Sequence, residues 1–102
     1  MKKIYVSAAG DIDIEKLTEF CTGRGVDAFI PALHGYAVAS GEEHANWLKR
    51  HSAELNIRVS DELWIFGEIH GEALSDWQYA IHIRKLIRCF DQDFKETEVL
   101  EI

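Results

Sequence analysis

Long apolar runs are missing from this chain. Its longest uncharged stretch, Ala28 to Gly41, is 14 residues and holds Pro31 and His34, short of the roughly 20 apolar residues that span a bilayer. No membrane helix and no membrane partner are expected. After Lys2 and Lys3 the uncharged stretch stops at Asp11, too short and too polar for a secretory signal, so the expected compartment is the cytoplasm. Cysteine is scarce. Cys21 and Cys89 lie far apart and match neither a zinc spacing nor a disulfide framework, which leaves buried reduced thiols as the expectation. Bases are few as well: 11 Lys and Arg against 18 Asp and Glu give a net charge of -7. Such a balance repels a phosphate backbone, whose binding depends on Lys and Arg displacing counterions, and a nucleic-acid partner is disfavoured. The chain also lacks a P-loop, G-x-S-x-G, H-E-x-x-H, any internal repeat and any low-complexity tract.

What is present fits one compact body. One hundred and two residues make a single domain, and 47% hydrophobic residues with 3 Trp, 3 Tyr and 5 Phe supply a core. The acidity gathers at the end. Residues 91–102 hold Asp91, Asp93, Glu96, Glu98 and Glu101 against Lys95 alone, an acidic C-terminal strand or tail.

Hydrophobic periodicity orders the elements. Lys3 to Ser7 (K-I-Y-V-S) reads as a buried first strand, with a tight turn at Gly10. From Asp11 the residues Ile14, Leu17, Phe20 and Cys21 recur at helical spacing, with Asp11 or Asp13 to cap and Gly23 and Gly25 to stop the helix. Val26 to Ile30 resumes a strand that Pro31 ends. Ser40-Gly41-Glu42-Glu43 has capping-box spacing for a second helix to about Asn56, with Trp47, Leu48, His51 and Leu55 on its packed face. Leu63 to Phe66 reads as a central strand. A polar loop then runs from Glu68 to Leu74, followed by a short helix opening near Ser75-Asp76-Trp77-Gln78 and carrying Trp77, Ala80, Ile81 and Ile83. Leu86 to Phe90 is a fourth strand, and Phe94 to Ile102 an edge strand or frayed end. The order β-α-β-α-β-α-β predicts a small doubly wound α/β domain, Rossmann-like or flavodoxin-like, with four to five strands in a parallel sheet and helices on both faces. Ligands bind outside the carboxyl ends of such strands, here at Ser7–Asp11, Pro31–Tyr36 and Gly67–Asp76.

Those three loops carry the candidate chemistry. Ser7-Ala8-Ala9-Gly10 lacks dinucleotide-binding spacing, yet its N–H groups lead toward a helix N-terminus that can hold an anion. His34 follows a strand's carboxyl end, where an imidazole contacts a ligand or acts as acid or base. The histidines His34, His44, His51, His70 and His82 form no close pair, so no metal site and no cofactor are expected. Glu68, His70, Glu72 and Asp76 crowd the third loop. Asp76 has two readings, a structural acceptor of helix N–H bonds or a nucleophile toward an electrophilic carbon.

Five stretches then bear a family likeness: Lys3-Ile4-Tyr5-Val6-Ser7, Phe29-Ile30-Pro31-Ala32-Leu33-His34, Ser60-Asp61-Glu62-Leu63-Trp64-Ile65-Phe66-Gly67, Asp76-Trp77-Gln78-Tyr79-Ala80 and Arg84-Lys85-Leu86-Ile87. In this order, over about residues 3–90, the chain resembles the nucleoside 2-deoxyribosyltransferase-like superfamily, specifically its small uncharacterised bacterial and phage members. Active families of that group open the helix after the third strand with a pattern like Glu-Ile-Gly-Tyr-Ala, whose Glu attacks the anomeric carbon of a deoxynucleoside. The resemblance implies that Asp76 is that nucleophile and that configuration is retained. It implies further that Ser7, Gly10 and Asp11 face the sugar or a 5′ group, that His34 lies near base or sugar, that Gly67, Glu68 and Tyr79 line the substrate, and that copies of the chain associate as a homo-oligomer. Three departures from the family pattern stand beside it: Asp76 is one methylene shorter than Glu, Gln78 replaces a small residue, and Arg84 and Leu86 occupy a common Gly-Lys-Pro pattern. The expected function is a nucleoside or nucleotide N-glycosidase or deoxyribosyltransferase. The alternatives are a non-catalytic nucleotide-binding or sequestering pocket and an acidic protein-interaction module using residues 91–102.

Overall fold

The computed structural model describes residues 1–8, 12–31, 42–69 and 71–97, and for 42–49 the backbone alone. Its elements run β1 (Lys3–Ala8), α1 (Ile14–Gly23), β2 (Asp27–Phe29), α2 (Glu42–Val59), β3 (Glu62–Phe66), α3 (Glu72–His82), β4 (Leu86–Phe90) and β5 (Glu96–Thr97). One five-stranded sheet is ordered β2-β1-β3-β4-β5. The first four strands are parallel, and the two-residue β5 pairs antiparallel with β4 at the edge. The expected strands 1, 3 and 4 lie within a residue of their predicted bounds. Among the described residues of the expected fifth strand, 94–97, Glu96 and Thr97 pair; residues 98–102 lie outside the described set.

Strand alternation sorts the core into two clusters. Tyr5, Leu63, Ile65, Ile87 and Cys89 pack with Ala53 and Ile57 of α2 and with Ala73, Trp77 and Ala80 of α3. Ile4, Val6, Trp64, Phe66 and Phe90 pack instead with Leu17 and Cys21 of α1. Both cysteines are free and buried, as expected. Among the described residues no helix is long and apolar enough to cross a membrane.

Helix ends follow local chemistry. Asp13 caps α1, its carboxylate accepting the N–H groups of Glu15 (3.0 Å) and Lys16 (3.3 Å); Gly25, at φ 68°, turns the chain out of it. Asp13→Ala is expected to cost about 1 kcal/mol in denaturant unfolding, because two helix N–H groups lose their acceptor. At the end of α2 the Lys85 ammonium donates to the carbonyls of Arg58 (3.1 Å) and Ser60 (2.6 Å), satisfying oxygens that the helix leaves unpaired.

Two helix readings require correction. The packed face of α2 is Ala53 and Ile57, whereas His51 and Leu55 are exposed. Each is two residues from Ala53, about 200° of rotation, so burying the small Ala53 against the sheet turns them outward. Side chains of Trp47 and Leu48 lie outside the described set. In α3 the helix begins one turn earlier than the Ser75 capping box suggested, at Glu72, because Gly71 takes φ 57° and its carbonyl accepts the Ser75 N–H (3.2 Å). Asp76 therefore sits inside the helix rather than at its cap. Ile81 lies on α3 as expected and is exposed.

One buried carboxylate belongs to the amino edge of the sheet. Glu62 is 3% exposed and accepts from Lys2 (2.8 Å) and the Trp64 indole N–H (3.0 Å), with the Arg88 guanidinium 3.1 Å away. Burial alone pushes its carboxyl up, but the bonds from Lys2 and Trp64 and the charges of Lys2 and Arg88 outweigh it, and the net direction is down from 4.5. A folded pKa below the unfolded one gives stability that is present above pH 4.5 and is lost as pH falls through the folded value. Glu62→Gln is expected to cost about 1–3 kcal/mol near neutral pH. The gap should close in acid, which paired urea melts from pH 7 to pH 3 measure.

Candidate active site at the carboxyl edge of the sheet

The strand order changes direction between β1 and β3: β1 is followed by β2 on one side, and β3 and β4 lie on the other. At that point the ends of β1 and β3 stand side by side, with Ser7 opposite Ile65 and Ala8 opposite Phe66. Ser7 shares a sheet face with Tyr5, the face covered by α2 and α3. Its hydroxyl thereby meets the second turn of α3.

There Asp76 is 4% exposed. Its carboxylate hydrogen-bonds with the Ser7 side chain and accepts from the Arg50 guanidinium of α2, 2.8 Å from Oδ1. Arg50 also reaches Glu72 Oε2 at 3.3 Å and Glu54 Oε1 at 3.9 Å. Glu72 precedes Asp76 by four residues and so occupies the same helix face one turn earlier. Desolvation is the largest influence on Asp76 and raises its pKa above the ordinary 3.8; bonds from Ser7 and Arg50 and the Arg50 charge pull downward, the Glu72 charge pushes up, and the net direction is up. A carboxylate with a raised pKa is a stronger base and nucleophile when ionised.

The other expected residues fall in different places. Gly67 ends β3 at φ 91° and donates its N–H to the Phe90 carbonyl (2.9 Å), and Glu68 beyond it is exposed. Tyr79 is half-buried, and its hydroxyl accepts from Arg58 (2.9 and 3.2 Å). That contact lies nearer the α2 C-terminus, about one helical turn below Asp76. Gly10, Asp11, His34 and His70 lie outside the described residues. Of the acidic tail, Asp91 accepts the N–H groups of Asp93 (2.8 Å) and Lys95 (3.0 Å), and Glu96 pairs with Arg88 (3.4 Å). The turn they shape borders an open cleft of about 400 Å³ on the α1 side, lined by Ile12, Asp13, Lys16, Gln92, Asp93 and Phe94.

Sequence reasoning missed Arg50 and Glu72 as partners of Asp76. The four-residue spacing of Glu72 and Asp76 was legible, but only the contact between α2 and α3 supplies the cation. Comparison of the chain with protein-family models finds no match, and comparison with curated proteins finds none.

Proposed function

We propose that this chain is a nucleoside or nucleotide N-glycosidase or deoxyribosyltransferase, built on a doubly wound, flavodoxin-like sheet, with Asp76 as the nucleophile. The observation that carries the reading is the buried Asp76 carboxylate held between Ser7 and Arg50 beside the β1 and β3 ends. In doubly wound sheets of order 2-1-3-4 that strand junction is where ligands bind. The resemblance carried by Asp76-Trp77-Gln78-Tyr79-Ala80 supports the same residue.

In the chemistry proposed, an Asp76 oxygen forms a bond to the anomeric carbon while the C–N bond breaks and its electron pair leaves with the base, which takes a proton from water or a carboxylic acid. Water, or a second base in transfer, then attacks the same carbon and frees Asp76, with overall retention. Ser7 assists by fixing the carboxylate's direction, since small displacements of a reacting group are costly. The resemblance also implies a homo-oligomer whose copies complete each other's sites, and sedimentation of the purified chain reports it.

The Arg50 pair favours one second reading, a pocket that binds a nucleotide-like ligand without turnover, because a cation already occupies one carboxylate oxygen. Incubation with deoxynucleosides and their monophosphates, following free base by chromatography, separates the two. Base release supports catalysis; thermal stabilisation by a nucleotide with no base released supports binding alone.

A further inference from the structure

We propose that Arg50 is a positioning residue for Asp76: its guanidinium, forked between Asp76 and Glu72, holds the buried carboxylate ionised and fixed in direction. The inference rests on the reading of Asp76 as nucleophile. One guanidinium meets three carboxylates here, at 2.8 Å for Asp76, 3.3 Å for Glu72 and 3.9 Å for Glu54. The three are not equivalent. The Glu72 and Glu54 side chains are exposed at 62% and 38%, against 5% for Asp76, so water solvates the first two and only Asp76 depends on Arg50 for its charge. Glu54, one turn on along α2, tethers the guanidinium to its own helix, and a planar guanidinium held on more than one nitrogen has little freedom to swing.

Among the described residues, Asp76 is faced by the Ser7 hydroxyl from β1, Arg50 from α2 and Glu72 from α3 itself. Ser7 and Arg50 favour the ionised form; Glu72 opposes it. Since a nucleophile must be ionised, Arg50 sets the lower pH limit of the reaction, and Glu72 moves that limit the other way.

The test is a titration of the Asp76 side-chain carboxyl by carbon NMR in the full chain, for wild type, Arg50→Gln, Arg50→Lys and Glu72→Gln. The midpoint is expected to rise in Arg50→Gln, to stay near wild type in Arg50→Lys, and to fall in Glu72→Gln. The acid limb of base release should follow the same order. On that limb Arg50→Gln should lose about tenfold or more in kcat, since an opposite charge at this range moves a carboxyl by one unit or more. Unmoved midpoints, or Arg50→Gln and Glu72→Gln moving together, overturn the proposal. Should Arg50→Gln not fold, Glu72→Gln at its exposed position still decides. Base release with unmoved midpoints sinks the role of Arg50 and leaves the nucleophile; ordered midpoints with no base release keep the role of Arg50 and sink the glycosyl reading.

Discussion

With Asp76 as the proposed nucleophile, Asp76→Ala is expected to abolish base release, lowering kcat by at least about a thousandfold, as loss of a covalent nucleophile does. Asp76→Asn should be as inactive while keeping the shape of the side chain, so the pair separates lost chemistry from lost packing. The stability of the same proteins carries a signature of its own. Burial raises the Asp76 pKa in the folded chain above its ordinary 3.8, so its contribution is fully present below pH 3.8 and is lost as pH rises through the folded value. The stability of wild type relative to Asp76→Asn should therefore fall as pH climbs through that window. Glu62→Gln should show the opposite trend. Inactivity of both variants with an active wild type establishes the nucleophile, whereas base release that survives Asp76→Ala removes Asp76 from the reaction.

Phe66→Ala is expected to cost about 3–5 kcal/mol, a large part of the roughly 5–15 kcal/mol that holds a domain folded. Phe66 is wholly buried. Its ring stacks on Phe90 with centroids 4.7 Å apart and meets Phe20 edge-on at 5.8 Å. Phe94 adds a fourth ring at 5.9 Å. Removing the central ring opens a cavity and breaks several aromatic contacts together. Urea unfolding should show a lower midpoint with an unchanged slope. Phe66→Leu, which refills most of the volume, should recover much of the loss. A cost under about 1 kcal/mol for Phe66→Ala would mean that the rings collapse into the space and that the cluster contributes little.

That cluster matters to the site through its position. Phe66 is the last residue of β3, Gly67 follows it, and Gly67 is tied to the Phe90 carbonyl. The aromatic layer on the α1 face thus anchors the strand end beside which Ser7 and Asp76 meet on the other face.

Local sequence determined most of the framework. Apolar β-branched and aromatic runs specify β1, β3 and β4, the Asp13 side chain starts α1, and Gly25 ends it, because strand alternation and helix capping act over a few residues. The placement of two cysteines in the core was legible for the same reason. What lies between elements was not. A capping-box spacing at Ser75 lost to Gly71, whose positive φ starts the helix a turn earlier. The face of α2 was misread because its burial depends on which residues fit against the sheet, and the small Ala53 fits where Leu55 was expected. Asp76 stood out in the sequence by family likeness and by its place after β3. Its environment belongs to the tertiary structure alone: the desolvation comes from packing α3 on the sheet, the hydroxyl from β1, and the cation from α2, 26 residues away in sequence. Charge, hydrogen bonding and burial act through space, and only the fold sets distances in space.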